Sequence, residues 1–371
     1  MEEKKIRVAL THGDTNGVGY ELIFKTFEDS TMLELCTPII YGSPKVAAYH
    51  RNALGMQTNF TIISNAEEAR DGRINLLPVF DEEIKVELGS PTEESGNAGL
   101  RAIDRALEDY RKGLFDVLVT APIDNNDRFH FSGQSRYLED HLDTFGKGLS
   151  ILLTAEGLRI ALATRNLPLK QVVESVTQES ITAKAQALHQ SLKRDFLITN
   201  PRIAVLALNP KAGDKGLLGT EEKDIIAPAI SQLVEQSIQA FGPYAADEFF
   251  GEGYYREFDG ILAMYYDQGL TPFRSLAGEE GVNFTAGLPL VRTAPQHNAL
   301  FAQAGKNTAD CTSMRQALYL AIDIFRHRKV CLEAYADPLK KQYKEKRDDS
   351  EKVRFTIPKK AEDNQQPAEK E

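Results

Sequence analysis

The sequence predicts an α/β protein whose strands form a largely parallel sheet. Short apolar runs of strand length alternate with stretches of helical spacing, which is typical of right-handed βαβ units. The helical pattern is clearest in residues 96–113, where Leu100, Ile103 and Leu107 recur on one face before a terminal glycine. The apolar run 261–265 ends abruptly in polar residues. Open α/β sheets bind ligands outside the carboxyl ends of their strands, so these polar residues are functional candidates.

The other elements follow from the same patterns, taken in chain order. In the first half we expect a helix after residue 19 and strands at 6–10, 38–42, 60–64, 74–79 and 116–120. The segments 149–154 and 158–164 are separated by Glu156-Gly157, which predicts an antiparallel hairpin. Further on we expect a strand at 203–208 and helices at 181–194, from Thr220 toward Phe241, and from Ser313 to about Phe325. Asp247 is expected in a loop.

A glycine-rich segment, residues 13–19, connects the first strand to the first helix. Such a turn can bind a phosphate through free backbone N–H groups at the helix start. The segment lacks the spaced G-x-G-x-x-G fingerprint of dinucleotide-binding proteins. We therefore favour a structural turn over a phosphate site.

Composition argues against several classes of function. The net charge of −10 and pI near 5.4 argue against a general nucleic-acid-binding surface, although local arginines can still bind a small anion. Three distant cysteines predict reduced thiols and not a disulfide framework or a zinc site. The chain has no long apolar run and no signal-peptide-like start, so we expect a soluble cytoplasmic protein without membrane partners. Residues 338–371 are charged and predict a disordered tail.

Most candidate functional side chains lie between residues 260 and 310. They are Tyr266, Asp267, Arg274, Asn283, Arg292, His297 and the polar turn 305–310. Arginine makes planar, bidentate contacts to phosphate and carboxylate groups, so Arg274 and Arg292 are the expected anion anchors.

Six motifs together resemble one family in order and spacing. They are GDTNGVGYEL (13–22), VTAPIDN (119–125), GQSRYL (133–138), LALNPKAGDKGLLGTEE (206–222), AMYYDQGLTP (263–272) and NFTAGLPLVRTAPQHN (283–298). Over about residues 5–330 the sequence is similar to the 4-hydroxythreonine-4-phosphate dehydrogenases of vitamin B6 biosynthesis. The resemblance implies a two-domain α/β fold like that of isocitrate and isopropylmalate dehydrogenases, with an interdomain cleft. Residues 1–130 plus about 300–337 would form the first domain, and 131–299 the second, which would also make dimer contacts.

The resemblance also implies a chemistry and an assembly. Enzymes of this family use NAD to oxidise the alcohol of a phosphorylated hydroxy amino acid, and the β-keto acid that results loses carbon dioxide. They are homodimers in which the partner subunit completes the active site. The sequence does not distinguish NAD from NADP.

The functional positions of the family carry over residue by residue. The substrate-binding positions are Gln134, Ser135, Arg274, Asn283 and Arg292, with Ser135 in place of the usual threonine and Arg274 in place of the usual lysine. Asp247 and Asp267 match acidic positions beside the metal of the family. The region that holds the adenine end of the cofactor matches His297, Asn298, Gly305 and Thr308.

The resemblance departs from the family at the metal. The family binds a divalent ion through three histidines, and the matching positions here are Asn166, Lys211 and Tyr266. Gln134 likewise stands in place of a substrate-binding histidine. The seven histidines of the chain form no compensating cluster with ligand spacing, so a divalent metal is doubtful. Asp247, Asp267 and water could still hold Mg²⁺ weakly, although a Lys211 ammonium would oppose it.

Two interpretations follow for catalysis. In the first, a buried Lys211 supplies the positive charge of the missing metal, Tyr266 relays a proton, and Asp247 and Asp267 pair with the lysine and orient it. In the second, catalysis is lost and the cleft only binds a phosphorylated ligand. We favour the first, a dehydrogenase of 4-hydroxy-L-threonine 4-phosphate. A phosphorylated threonate or erythronate is the alternative substrate.

Overall fold

The computed structural model describes residues 5–80, 82–124, 131, 133–144 and 147–336. The strands in this part of the chain are β1 (Ile6–Thr11), β2 (Cys36–Gly42), β3 (Thr61–Ile62), β4 (Asn75–Pro78), β5 (Val117–Thr120), β6 (Leu149–Leu153), β7 (Arg159–Leu162), β8 (Arg202–Leu206), β9 (Gln239–Tyr244), β10 (Gly260–Ala263), β11 (Val282–Ala286) and β12 (Val291–Pro295). The α-helices are α1 (Gly19–Glu28), α2 (Met32–Leu35), α3 (Pro44–Ala53), α4 (Glu93–Arg111), α5 (Gln134–His141), α6 (Leu169–Ser175), α7 (Gln178–Arg194), α8 (Ala227–Glu235), α9 (Ala246–Gly251), α10 (Tyr266–Ala277) and α11 (Thr312–Ala336).

These strands form one sheet in the order β3-β4-β2-β1-β5-β12-β11-β6-β7-β10-β8-β9. From β3 to β12 all neighbouring strands are parallel, and so are those from β7 to β9. The three pairs in the centre, β12–β11, β11–β6 and β6–β7, are antiparallel. The α/β class and the predicted β6–β7 hairpin are confirmed. The parallel arrangement is confirmed on both flanks but not in the centre.

Burial follows from this arrangement. Parallel strands covered by helices on both faces read as continuous apolar runs, and every residue of β2 is buried. The predicted helix 96–113 is observed as α4, which begins earlier because Thr92 and Ser95 form a capping box. Its buried stripe includes Ile103 and Leu107. The sheet and these amphipathic helices thus build the core as the pattern predicts.

The predicted helix from Thr220 toward Phe241 is wrong in its last part. A π-turn at Glu222–Ile226 leads into α8, which ends at Glu235. Ser237 then adopts a φ of 62°, and the chain returns as strand β9 beside β8. Asp247 is also corrected, because it lies in the first turn of helix α9 and not in a loop. The hydrophobic pattern did not reveal β9, because around its start only Ile238 and Ala240 are buried.

The turn at residues 13–19 is structural. Its backbone N–H groups from Asp14 to Val18 all donate to acceptors within the protein, including Pro122 O at 3.0 Å and Ala299 O at 3.1 Å. These five N–H groups are therefore not available to a phosphate. The Asp14 carboxyl, whose pKa burial raises to about 6, would also repel an anion when ionised.

No helix in the described residues is long and apolar enough to cross a membrane. The predicted tail, 338–371, lies outside the described residues. The division into two domains stays a prediction.

Candidate active site

A polar cleft lies over the centre of the sheet. It consists of two cavities of about 560 and 400 Å³. The cavities are contiguous, because both are lined by Gln134, Ser135, Tyr266, Asn283 and Gln296. The antiparallel strands β6 and β11 form the floor of the first cavity through Ser150, Leu152 and Asn283. All five predicted substrate-binding residues therefore border one cleft, since Arg274 and Arg292 line the second cavity.

Arg292 is the most deeply buried cation of this cleft, with 3 % of its surface exposed. Its guanidinium donates to Thr120 Oγ1 at 2.6 and 3.0 Å, to Gln134 Oε1 at 2.6 Å and to Thr285 Oγ1 at 3.1 Å. A longer contact of 3.5 Å reaches Ser135 Oγ. Strands β5, β11 and β12 and the start of α5 thus hold the planar group in place.

The partners of Arg292 are all neutral. Burial alone lowers its pKa to about 9, and no carboxylate of the described residues lies within ion-pair distance. The group stays protonated at neutral pH, so it holds a buried positive charge that no carboxylate of the described residues neutralises. A buried charge is costly unless paired, and an anion bound in the second cavity would pair it.

Asn283 lies on the cleft floor between the two cavities. Its Nδ2 donates to Ser150 Oγ at 3.1 Å, while its Oδ1 is buried without a hydrogen-bond partner. An unsatisfied buried acceptor in a ligand cleft indicates a donor supplied by the ligand. Arg274, in contrast, is exposed on α10 and reaches the second cavity from outside.

Tyr266 and Asp267 occupy the first turn of α10 and not a loop. Tyr266 is 40 % exposed and borders both cavities, with Asn166 beside it in the first. Asp267 is exposed and lines a smaller adjoining cavity of about 170 Å³. The structure therefore brings Tyr266 to the proposed substrate site and leaves Asp267 at its edge.

Lys211 and Asp247 line none of these three cavities, and both are exposed. No ion pair joins Lys211 to Asp247 or Asp267 in the described part of the chain, so the expectation of a buried, paired ammonium is wrong for the single chain. Lys211 follows β8 and Asp247 follows β9, which are parallel neighbours of β10. They therefore lie along the same sheet edge as Tyr266.

Lys211 stands on an unusual turn. Residues 211–215 have φ values of 52, 49, 79, 42 and 58°, a run of left-handed backbone. Buried Glu222 holds the base of this turn by accepting from Leu208 N, Asn209 N and Asn209 Nδ2 at 2.9, 2.7 and 3.0 Å. Strained backbone of this kind persists where the surroundings enforce it, often at functional sites.

Among the predicted cofactor residues, His297 and Asn298 line the second cavity, whereas Gly305 and Thr308 line neither main cavity. His297 Nδ1 lies 2.8 Å from Asn298 O, and because a carbonyl only accepts, Nδ1 carries the proton. Burial lowers the pKa of His297, so the ring is neutral. Its Nε2 is buried without a partner and can accept from a hydroxyl or amino group of a nucleotide. His297 and Asn298 are therefore placed to contact a molecule bound in the second cavity.

The donor set at the positions that the resemblance matches to a metal site does not fit a divalent ion. An amide, an ammonium and a phenol at Asn166, Lys211 and Tyr266 are poor ligands compared with histidine or carboxylate. In the described ranges no group of three or more His, Cys, Asp or Glu residues is close enough to hold one.

Sequence reasoning missed four residues of this site: Thr120, Ser150, Arg165 and Thr285. The two threonines and Ser150 lie inside strands, where nothing local separates a ligand-facing hydroxyl from a core one. Arg165 follows the end of β7, which is the position that marked Tyr266 after β10, and the same signal could have found it.

The fold and the cleft define the class of protein: an α/β protein with a polar cleft that Arg165, Arg274 and Arg292 border. The chain belongs to the family described as pyridoxal phosphate biosynthetic protein PdxA, whose model matches residues 34–321.

Individual relatives agree with this assignment. The chain is 54% identical to a 4-hydroxythreonine-4-phosphate dehydrogenase of Bacteroides thetaiotaomicron over 96% of this chain and 98% of that protein. A protein of Oceanobacillus iheyensis, provisionally named D-threonate 4-phosphate dehydrogenase, is 32% identical over 86% of this chain and 98% of its own length. The crystal structure of 4-hydroxythreonine-4-phosphate dehydrogenase from Klebsiella pneumoniae superposes with a TM-score of 0.73 at 28% identity, covering 87% of this chain and 100% of that one.

Proposed function

We propose that this protein oxidises 4-hydroxy-L-threonine 4-phosphate with NAD, and that the product then loses carbon dioxide, as a step of pyridoxal 5'-phosphate biosynthesis. The observation that carries the proposal is Arg292, a buried cation with no counter-ion among the described residues, in a cleft that Arg274 also borders. Two arginines match the charge of a phosphate group. The relatives named for this activity support the same substrate.

The cofactor is a nicotinamide dinucleotide, and we propose NAD. When bound, it accepts the hydride from the carbon that carries the substrate hydroxyl. His297 Nε2 would accept a hydrogen bond from its adenosine end, and Asn298 borders the same cavity. Ala299 N donates to Asp124 Oδ1 at 2.9 Å, which fixes the loop that presents them. Gly305 and Thr308 belong to the same proposed subsite.

The hydroxyl proton must leave as the hydride departs. Tyr266 is the phenol that borders both cavities, so it is the proposed relay. Lys211 is the proposed source of positive charge near the oxygen, with Asp247 and Asp267 orienting it. Since Lys211 is exposed in its own chain, we propose that it enters the cleft of a partner subunit in a homodimer. No step requires a metal.

A phosphorylated threonate is the second candidate substrate. The similarity to the provisionally named D-threonate 4-phosphate dehydrogenase supports it. The two substrates differ by an amino group against a hydroxyl, and Asn283 Oδ1, a buried acceptor without a partner, can accept from either. The same assay decides between them.

The decisive experiment measures NADH formation from NAD and 4-hydroxy-L-threonine 4-phosphate after dialysis against EDTA, for wild type and Lys211→Ala. We expect activity that survives EDTA and falls about 100-fold or more in Lys211→Ala, because an electrostatic group at the reacting oxygen is lost. Lys215→Ala, which removes the other lysine of the same turn, is the control and should keep its activity.

Other outcomes have distinct meanings. Activity lost with EDTA and restored by a divalent ion would contradict the metal-free mechanism. Activity with threonate 4-phosphate alone would show that this compound, and not 4-hydroxy-L-threonine 4-phosphate, is the substrate. Ligand-dependent stabilisation without NADH formation from either compound would indicate a binding protein and not an enzyme.

A further inference from the structure

Arg165 presents a second positive charge to the cleft, away from Arg292. Its side chain lines the first cavity, while Arg274 and Arg292 line the second. Between them lie the neutral side chains of Ser135, Asn283 and other residues shared by both cavities. The cleft therefore carries arginine side chains at both ends, with one aspartate in each cavity (Asp140 in the first, Asp124 in the second) and neutral side chains between them.

The backbone fixes where Arg165 stands. Strand β7 continues along β10 through Ala163 N, which donates to Ala263 O at 2.8 Å, and through Thr164, whose Oγ1 and N donate to Met264 O at 2.7 and 3.2 Å. Asn166 then takes a left-handed conformation with φ 43°, which asparagine tolerates better than most residues. Arg165 thus directly follows a segment that backbone hydrogen bonds hold against β10, and it precedes the change of chain direction at Asn166.

The Arg165 side chain is held from behind. Its Nη2 lies 2.5 Å from Oε1 of Glu139, whose side chain is fully buried, whereas 24% of the Arg165 side chain is exposed. Gly148 packs against this carboxylate so closely that a Cβ would lie 2.2 Å from Oε1. The guanidinium therefore binds Glu139 through Nη2, while the side chain also lines the first cavity.

The two ends suit different anions. Arg165 already shares its charge with Glu139. Among the described residues Arg292 has only neutral hydrogen-bond partners, and Arg274 lies beside the same cavity. A phosphate carries nearly two charges at neutral pH and fits the Arg292 end. A carboxylate carries one and accepts two parallel hydrogen bonds from an arginine. Asp140 also lines the first cavity, but Arg136 neutralises it at 3.2 Å.

We propose that Arg165, held by Glu139, binds the carboxylate of the substrate and thereby selects phosphorylated hydroxy acids over phosphorylated alcohols. This inference rests on the proposed function for the identity of the substrate. It assigns Arg165 to substrate binding and Glu139 to positioning it. Together with Arg292, it sets the direction in which the substrate lies along the cleft.

Calorimetric titration tests the inference without turnover. The ligands are 4-hydroxy-L-threonine 4-phosphate and 3-amino-2-hydroxypropyl phosphate, which lacks only the carboxylate. In Arg165→Gln we expect affinity for the first to fall about 10- to 100-fold, and affinity for the second to stay within about twofold. Arg165→Lys should recover part of the loss. Arg292→Gln should weaken both ligands, and Arg202→Gln, an exposed arginine that lines neither cavity, should weaken neither.

Folding defects are separated by a second variant. Arg165→Gln removes the ion pair with buried Glu139, so the double variant Glu139→Gln/Arg165→Gln replaces that pair with two neutral amides. It should bind like Arg165→Gln with a melting temperature nearer wild type. Equal losses for both ligands, no loss for either, or a wild type without preference for the carboxylate would each overturn the inference. If the wild type prefers the ligand with the carboxylate but forms no NADH, the proposed function is wrong, whereas the assignment of Arg165 to carboxylate binding stands.

Discussion

His12 is a fully buried histidine beneath the turn between β1 and α1. Its ring stacks on Tyr20 with centroids 5.1 Å apart and meets the edge of Phe80 at 6.3 Å. Burial lowers its pKa to about 3, so the folded protein keeps this imidazole neutral. The neutral ring packs against aromatic side chains, and protonation of the ring would oppose this packing.

His12 should therefore lower the stability of the fold in mild acid. An unfolded histidine takes up a proton near pH 6.5, but folded His12 does so only near pH 3. Protonation thus favours the unfolded state increasingly as the pH falls between these values, by about 2 kcal/mol at pH 5. In His12→Phe, which keeps the stacking, urea unfolding at pH 7.5 and pH 5 should show a smaller loss. The exposed-histidine variant His141→Gln should keep the wild-type loss, and an unchanged loss in His12→Phe would refute the assignment.

For individual residues, the sequence predicted which side chains line the cleft better than it predicted their contacts. Arg292 and Asn283 could be named because charged and amide groups stand out in an apolar segment. Their partners could not, since Thr120 is distant in sequence from Arg292 and reaches it only because β5 pairs with β12. The burial that leaves Arg292 with only neutral partners in the described part of the chain is likewise a property of packing.

At the scale of elements, strands with strong apolar runs and the β6–β7 hairpin were predictable, and β9 was not. The left-handed turn at residues 211–215 was also unpredictable, because only Gly213 among its five residues is glycine. Left-handed backbone costs roughly 1–2 kcal/mol per non-glycine residue. The carboxylate of Glu222 holds the adjoining backbone and offsets part of that cost.

Gly213→Ala should break this turn. A Cβ there would lie 2.7 Å from Glu222 Oε2 and 3.0 Å from Gly219 O, at a φ of 79°. We expect a loss of about 1–3 kcal/mol in the free energy of unfolding, measured by urea titration, together with a lower kcat if the turn presents Lys211. Gly251→Ala is the matched control, because its Cβ would meet nothing within 4 Å. Equal stability of the two variants would show that the turn is not under strain.

At the scale of the whole molecule, the chain alone does not assemble the proposed catalytic set. Arg292 and Tyr266 border the cleft, whereas Lys211 and Asp247 face outward along the same sheet edge. Exposure of these two residues has a simple explanation in a twofold dimer, where each chain would bring its Lys211 turn to the cleft of the other. Sequence reasoning reached the partner only through resemblance, since no local pattern encodes which chain a side chain serves.

Subunit complementation tests this arrangement. Lys211→Ala and Arg292→Gln chains, each nearly inactive alone, would be co-expressed with different tags and the heterodimer purified. If Lys211 acts in the cleft of its partner, one site of the heterodimer carries both replacements and the other carries neither. That heterodimer should then show about half of the wild-type activity. If both residues serve the same chain, each site carries one replacement and the heterodimer stays as inactive as its parents, which would place the Lys211 turn over its own cleft and require that it move there.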